Sequence, residues 1–439
     1  MKIKKNSFSI LLPLETVSRE LDYKLFLSIY LAKKGFKVYL GRKKEIWKLF
    51  NLHKDNFAYL DKGFHENISE DNIYKIVKNN GGALFHLDEE GGIDFEDSRT
   101  IERRYSKEVF DYCDKIFLWG HSQKNFLTKR KPYFLDSKTV ISGHPRFQMV
   151  STVLKDIYNE RSLIIKKKYG KFILFNSNTK YANHIHGEGF LYKNYGPRIN
   201  NLSERIEYDK IKLENNIKLF HAIVNKTNFN IVIRPHPEED INYYHELFQN
   251  SRIHCIYDDS VIPWIMSSVY TMHNDCTTAV ESCLLGKKPI SFITDYNKNL
   301  SPYLPIKISE AFSNLDEIIN YISLDNNLSF DIPNIMKDIF STELNSTEII
   351  TDEIYNFVQE NYKKNSPSVL GVKYKIISLL HKFLSYPSYK NNRLAKNKLS
   401  ELGNEKFMKV KLDSFLDYLS IHEKASFQSI RPGLYQISF

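Results

Sequence analysis

The sequence predicts an α/β protein built from two doubly wound halves that face a cleft. Three observations predict it. Short apolar runs rich in Val, Ile and Phe recur between helix-patterned stretches from residue 8 to residue 293. Most of these runs end in a loop that carries acidic, hydroxyl or histidine side chains. A polar, lysine-rich stretch from Met149 to Tyr169 separates the first set of runs from the second. With 439 residues there is room for two domains of ordinary size, and an apolar fraction of 42% lets each bury a core.

The first half spans residues 1–150. It opens with a strand at Phe8–Leu12, a loop from Pro13 to Glu20, a helix at Leu21–Lys34 ended by Gly35, and a strand at Lys37–Leu40. Glu15, Arg19 and Glu20 in that loop either line the binding crevice or cap the helix. A helix over Lys43–Leu52, a strand at Phe57–Leu60 and a helix at Asn72–Asn79 lead to a strand at Ala83–Leu87. That strand runs straight into Asp88-Glu89-Glu90-Gly91-Gly92. Three carboxylates at the end of a buried strand are costly unless they act or are paired. Crowding raises at least one pKa, which suits a general base or leaves a nucleophile. A solvated acidic turn is the plainer alternative; the preceding apolar strand favours a site. A helix at Ser98–Tyr112, strands at Lys115–Trp119 and Thr139–Ile141, and a helix at Ser122–Thr128 complete this half. His121, His144 and Arg146 follow those strands and point to the same crevice, although His144 beside Pro145 is equally an ordinary loop histidine.

The second half spans residues 151–363. A strand at Phe172–Phe175 meets Asn176-Ser177-Asn178-Thr179, a donor-rich loop suited to a phosphate or an acceptor. The glycine-bearing insertion His184–Pro197 reads as a lid. A helix at Asp209–Asn225 precedes the strand Ile231–Ile233, which ends at Arg234-Pro235-His236-Pro237. A proline on each side stiffens the loop that holds His236. Strands at His254–Tyr257 and Val269–Met272 follow; the latter ends at His273-Asn274-Asp275, and Cys276-Thr277-Thr278 open a helix. The two threonines either bind an anion at the helix start or cap it. The strand Ile290–Ile293 follows Gly286–Pro289, and 331–363 is helical. A cation, an imidazole and hydroxyls at strand carboxyl ends suit a nucleotide phosphate.

Residues 364–439 read as a basic helical extension. The apolar face from Val369 to Leu384, flanked by Lys373, Lys375 and Lys382, either lies on an anionic inner leaflet or covers the core. A net charge of +10 fits an anionic partner: a nucleotide, a phosphorylated glycan or a membrane face. No helix-turn-helix, RNP or zinc pattern points to nucleic acid. The cysteines Cys113, Cys255, Cys276 and Cys283 lack metal or disulfide spacing, as expected of reduced thiols in a cytosolic protein. Phe8–Leu14, interrupted by Pro13, is too short for a signal segment, and no stretch has the apolar length of a membrane span. The expected place is the cytoplasm or the cytoplasmic face of the inner membrane.

Glu89-Glu90-Gly91, His236-Pro237 and Thr277-Thr278, in that order, resemble the motifs of GT-B bacterial surface-carbohydrate glycosyltransferases, specifically β-Kdo transferases and CMP-sialic-acid-dependent sialyltransferases. The opening PLETVSRELDYKL and the GHPR after the sixth strand look similar to the same group. The resemblance implies two Rossmann-like domains, a CMP-sugar donor and a glycan or lipid-linked glycan acceptor. It places Glu90, with Glu89 beside it, at the catalytic carboxylate, as base or as nucleophile; several relatives carry Asp there. It gives His236, Thr277 and Thr278 to the CMP phosphate. Arg234, Pro237, Asn274, Asn176 and Ser177 are the further expected donor contacts, and Glu15, Arg19, His144 and Arg146 the expected acceptor or sugar contacts. A CMP-sugar releases a stable monophosphate, so no metal or other cofactor is required in principle. Three alternatives share the pattern: a CDP-alditol polyol-phosphate transferase of the teichoic-acid type, with His236 paired to His144 or His186; a non-catalytic nucleotide-sugar-binding assembly protein; and a UDP-sugar epimerase, which shares the fold.

Overall fold

The computed structural model describes residues 7–53, 56–64, 71–90, 94–151, 154–324, 330–362, 393–399 and 401–439. The first half contributes β1 (Ser9–Leu14), β2 (Lys37–Arg42), β3 (Phe57–Asp61), β4 (Ala83–Leu87), β5 (Lys115–Leu118) and β6 (Thr139–Ile141). They pair in parallel in the order β2-β1-β3-β4-β5-β6. The second half contributes β7 (Phe172–Asn176), β8 (Asn230–Arg234), β9 (Ile253–Cys255), β10 (Tyr270–His273), β11 (Ile290–Phe292) and β12 (Glu310–Phe312), in the order β12-β11-β10-β7-β8-β9. Read from its first strand, that is the 3-2-1-4-5-6 order of a dinucleotide-binding domain. Apolar β-branched and aromatic residues fill both faces of each sheet: Ile10 to Leu12, Phe172 to Phe175 and Ile231 to Ile233 are fully buried. Helices cover both faces, as a parallel sheet requires.

Several boundaries differ from the sequence reading, each for a local reason. The first helix starts at Val17, so Arg19 and Glu20 ride on its first turn rather than in a loop. The expected helix 98–112 is two helices, Arg99–Arg104 and Lys107–Tyr112, with Ser106 extended between them. The linker helix is regular only from Asn159 to Tyr169. The insertion read as a lid contains a helix, Glu188–Asn194, whose Leu191 is buried against Leu202 and Ile206. The apolar face Val369–Leu384 lies outside the described residues. Among the described residues no helix is long and apolar enough to cross a membrane.

The largest correction concerns the end of the chain, which is not wholly helical. After a helix at Glu405–Tyr418 come β13 (Ser426–Arg431) and β14 (Leu434–Ser438), a hairpin turned at Pro432-Gly433. Its second strand alternates, with Tyr435, Ile437 and Phe439 separated by Gln436 and Ser438, the strand signature. β14 pairs antiparallel with β2 and covers that edge of the first sheet. Gly41 permits the approach, because a Cβ there would lie 2.6 Å from the Gly433 carbonyl oxygen.

The same segment ties the two halves together. Lys411 reaches Asp22 of the first half (2.8 Å) and Asp259 of the second (2.6 Å), and Tyr158 donates to Asp22 (2.8 Å). Removing the ammonium leaves two carboxylates facing each other in a mostly buried place. Lys411→Met is expected to lower unfolding free energy by about 3 kcal/mol, measured by urea denaturation. Adding Asp22→Asn should recover at least part of that loss; no recovery contradicts the bridge.

Candidate active site

In an open α/β sheet the crevice lies where the strand order reverses. In the first sheet that point is between β1 and β3, and in the second between β7 and β10. The two points face each other across a cavity of about 1130 Å³. Glu15, Arg19, Glu90 and Arg146 line it from the first half. Asn176, Ser177, Arg234, His236, Pro237, Thr277 and Thr278 line it from the second. Of the residues expected at a site, Glu89, His144 and Asn274 are not in the wall, and neither is His121, which is exposed.

The acidic turn stands on a buried charge network. Glu20, with no exposed surface, accepts from Lys62 (2.7 Å), Lys24 (3.1 Å) and Arg19 (3.2 Å). Burial raises its pKa, but those three cations outweigh burial and hold it well below the carboxylate range. Lys62 also reaches Glu15 (2.9 Å), and Lys24 reaches Glu89 (3.0 Å). Glu89 is buried beneath the cleft and takes the Tyr23 hydroxyl as a donor, so its role is to anchor the turn rather than to meet a substrate. Asp88 binds Arg104 through both oxygens (3.1 and 3.2 Å) and accepts from the Glu90 backbone N–H (2.7 Å). Glu90 is the member left at the cavity. Arg104 donates to one of its oxygens and Arg19 to the other (3.3 Å). Burial pushes its pKa up, yet Arg104, Arg19, Lys62 and Lys180 together hold it well below the usual range. Glu90 is therefore ionised throughout the neutral range. Gly91 and Gly92 lie outside the described residues.

The opposite wall is a neutral and cationic cradle. His236 Nδ1 accepts from the Glu238 backbone N–H (3.2 Å), so the neutral ring carries its proton on Nε2. Burial, aided by the Lys180 ammonium, pushes this imidazole down to about 3. Glu239, fully buried, fixes the loop: it accepts from Tyr244 (2.7 Å), Ser177 (2.9 Å), the Thr179 N–H (2.8 Å) and the His236 N–H (3.3 Å). The Ser177 hydroxyl is thus engaged in support. Arg234 gives one guanidinium nitrogen to the carbonyls of Asp258 (2.9 Å) and Asp259 (2.7 Å) and lies 5.5 Å from the Trp264 ring. Asn176 is buried, and its amide nitrogen has no hydrogen-bond partner among the described residues. Thr277 and Thr278 stand at the wall, Thr278 donating to Cys276 Sγ (3.3 Å).

Two expected contacts, Asn274 and His144, are engaged away from the cavity, and a third, Arg146, is held in its wall by an ion pair. Asn274 spends its amide on Asn216 (2.9 Å) and the Phe292 carbonyl (2.7 Å). His144 caps the turn Pro145–Gln148 by accepting from the Arg146 N–H (3.1 Å), and its ring packs against Trp119 and Tyr23. Arg146 reaches the cavity but is tied to Glu281 of the second half (2.7 Å).

Lys62 and Arg104 escape a reading of the sequence, because their partners are far away in the chain. Lys180 and Lys398 escape it too. Lys180 lines the cavity and lies 3.7 Å from Glu238, while Lys398 from the C-terminal segment holds the other oxygen of that carboxylate (2.6 Å). The charge of Lys180 acts on both Glu90 and His236, lowering the pKa of each.

No family model and no curated protein matches the sequence. Solved structures do. The UDP-GlcNAc 2-epimerase of Methanocaldococcus jannaschii, in complex with UDP-GlcNAc and UDP, is similar over 80% of this chain and 100% of that chain, with 12% identity and a TM-score of 0.51. A second structure of that enzyme gives 11% identity and a TM-score of 0.50 over the same shares. The wall teichoic acid polymerase TagF is similar over 83% of this chain and 91% of that chain, with 12% identity and a TM-score of 0.46, too low to support an argument. At these identities the likeness establishes the architecture: two Rossmann-like halves around a cleft, the GT-B fold.

In ¹⁵N-resolved NMR spectra, His236 should keep the shifts of a neutral Nε2–H imidazole from pH 8 down to about pH 4. A titration near pH 6.5 would contradict the half-buried ring, its pKa lowered by desolvation and by Lys180.

Proposed function

We propose that this chain is a glycosyltransferase that moves a 2-keto sugar acid, Kdo or a nonulosonate, from a CMP-sugar onto a surface glycan. The observation that carries the reading is that Glu90 and His236, from different halves, line one cavity whose wall also holds Lys180. The donor carries two anions, a phosphate and a carboxylate. The phosphate would meet the His236 Nε2–H, the hydroxyls of Thr277 and Thr278 and the unspent Asn176 amide. Lys180 and Arg19 supply cations for the carboxylate and for the charge that grows on the departing phosphate.

In the transfer, the bond between the anomeric carbon and the CMP phosphate oxygen breaks. A bond from the acceptor oxygen forms, and the acceptor's proton leaves. The ionised Glu90 either takes that proton directly, or first bonds the anomeric carbon and is then displaced by the acceptor oxygen, whose proton passes to the released CMP phosphate. Two arginines make the free Glu90 a weak base. A donor carboxylate that draws Arg19 away would raise its basicity at the moment of reaction. His236 donates a hydrogen bond to the leaving phosphate, whose negative charge raises the imidazole's affinity for a proton. The acceptor is a glycan or lipid-linked glycan at the cytoplasmic face of the inner membrane. For the alternative polyol-phosphate transfer, neither His144 nor His186 lines the cavity with His236.

Glu90→Gln is expected to lower kcat about 10²–10⁴-fold, with the CMP dissociation constant within about twofold of wild type. His236→Ala should weaken both. Release of CMP from a panel of CMP-sugars, CDP-alditols and UDP-GlcNAc, read by mass spectrometry, checks the donor. An unchanged rate in Glu90→Gln, or turnover of only CDP-alditols or UDP-GlcNAc, overturns the reading. Glu90 stays charged and His236 neutral from about pH 5 to about pH 8, so neither should place an inflection in kcat/KM within that window.

A further inference from the structure

We infer that the outer end of the cleft is a subsite for an anionic group on the acceptor, a phosphate ester or a carboxylate carried by the incoming glycan. The inference rests on the transfer reading above only in calling the ligand an acceptor; the site itself stands on geometry. The cavity continues past Glu15 along a wall made by the end of β2, the helix Lys43–Trp47 and the turn of the C-terminal hairpin. Among the described residues this wall carries the cations Arg42, Lys43, Lys44, Lys48 and Arg431 and the carboxylates Glu15 and Glu45. Lys43 reaches Glu15 (3.2 Å), while Lys48 (2.9 Å) and Arg431 share Glu45. Lys44 and Lys48 are exposed.

A concave wall rich in cations, with the Lys44 and Lys48 ammoniums exposed, focuses their field into the cleft. Arg431 arrives only because β14 docks on β2 and Gly41 admits the hairpin turn, so the basic rim depends on chain ends far apart in sequence. Trp47 stands in the same wall, half-buried, with the Lys43 ammonium 5.2 Å from its ring centroid. An apolar ring beside ammoniums suits a sugar face that carries an anion. The rim belongs to the first sheet's side, together with Glu15 and Arg19, whereas the phosphate cradle belongs to the second.

The test titrates the full-length protein by calorimetry with an oligosaccharide bearing a terminal phosphate, the same oligosaccharide bearing a carboxylate, and the neutral form; CMP is titrated separately. Wild type should bind at least one charged form at least tenfold tighter than the neutral form, and raised salt should erode that margin. Lys44→Glu/Lys48→Glu should abolish the margin, and the milder Lys44→Gln/Lys48→Gln should reduce it, with CMP affinity unchanged in both. Equal affinity for charged and neutral forms, or a full margin in the Glu variant, overturns the inference. Loss of CMP binding in wild type with the margin intact would remove the donor reading and leave this subsite standing.

Discussion

The fold turns on a carboxylate that water never reaches. Glu20 sits at the first turn of the first helix, fully buried, between Lys24, Lys62 and Arg19. A buried charge is tolerated only when paired, and breaking such a cluster strands the remaining partners. Through Arg19 and Lys62 the cluster extends to Glu90 and Glu15; through Lys24 it extends to Glu89. The ends of β1, β3 and β4 are thereby locked to one another, and Glu90 is presented at the cleft in a single ionised state. The energy that orders the acidic turn is electrostatic and internal, so the turn is formed before a ligand arrives.

The second wall is organised by the opposite device. Glu239 is a carboxyl surrounded by neutral donors rather than by ammoniums, and burial raises its pKa. It fixes the backbone on either side of His236 and leaves the imidazole neutral with its N–H outward. The C-terminal segment then spans both walls: Lys398 on Glu238, Lys411 between Asp22 and Asp259, and the hairpin on β2. A segment that holds both domains sets the width of the cleft between them.

The strands were legible because each is a short apolar run ended by a polar loop, and all eleven read from the sequence are present. No such run marks β12, whose three residues are at most partly buried. In the hairpin at 426–438 only the short stretch from Tyr435 to Phe439 alternates, and it follows a long basic, helix-patterned stretch that masks it. At the site, residues placed at strand ends by local pattern, Glu90, His236 and the two threonines, do share the cleft. Their supports were not legible. Lys62, Arg104, Lys180 and Lys398 act across long sequence separations, and a lysine in a basic chain has no local mark of burial. Conversely, Asn274 and His144 carry the right chemistry at strand ends, yet side-chain pairing turns them inward.

The most direct measurement is a crystal structure of the protein with CMP bound. The expected phosphate position is against the His236 Nε2–H and the Thr277 and Thr278 hydroxyls, with the Glu90 carboxylate facing it across the cavity. A phosphate seated on the Lys44–Lys48 rim, or CMP bound outside the cleft, would contradict it.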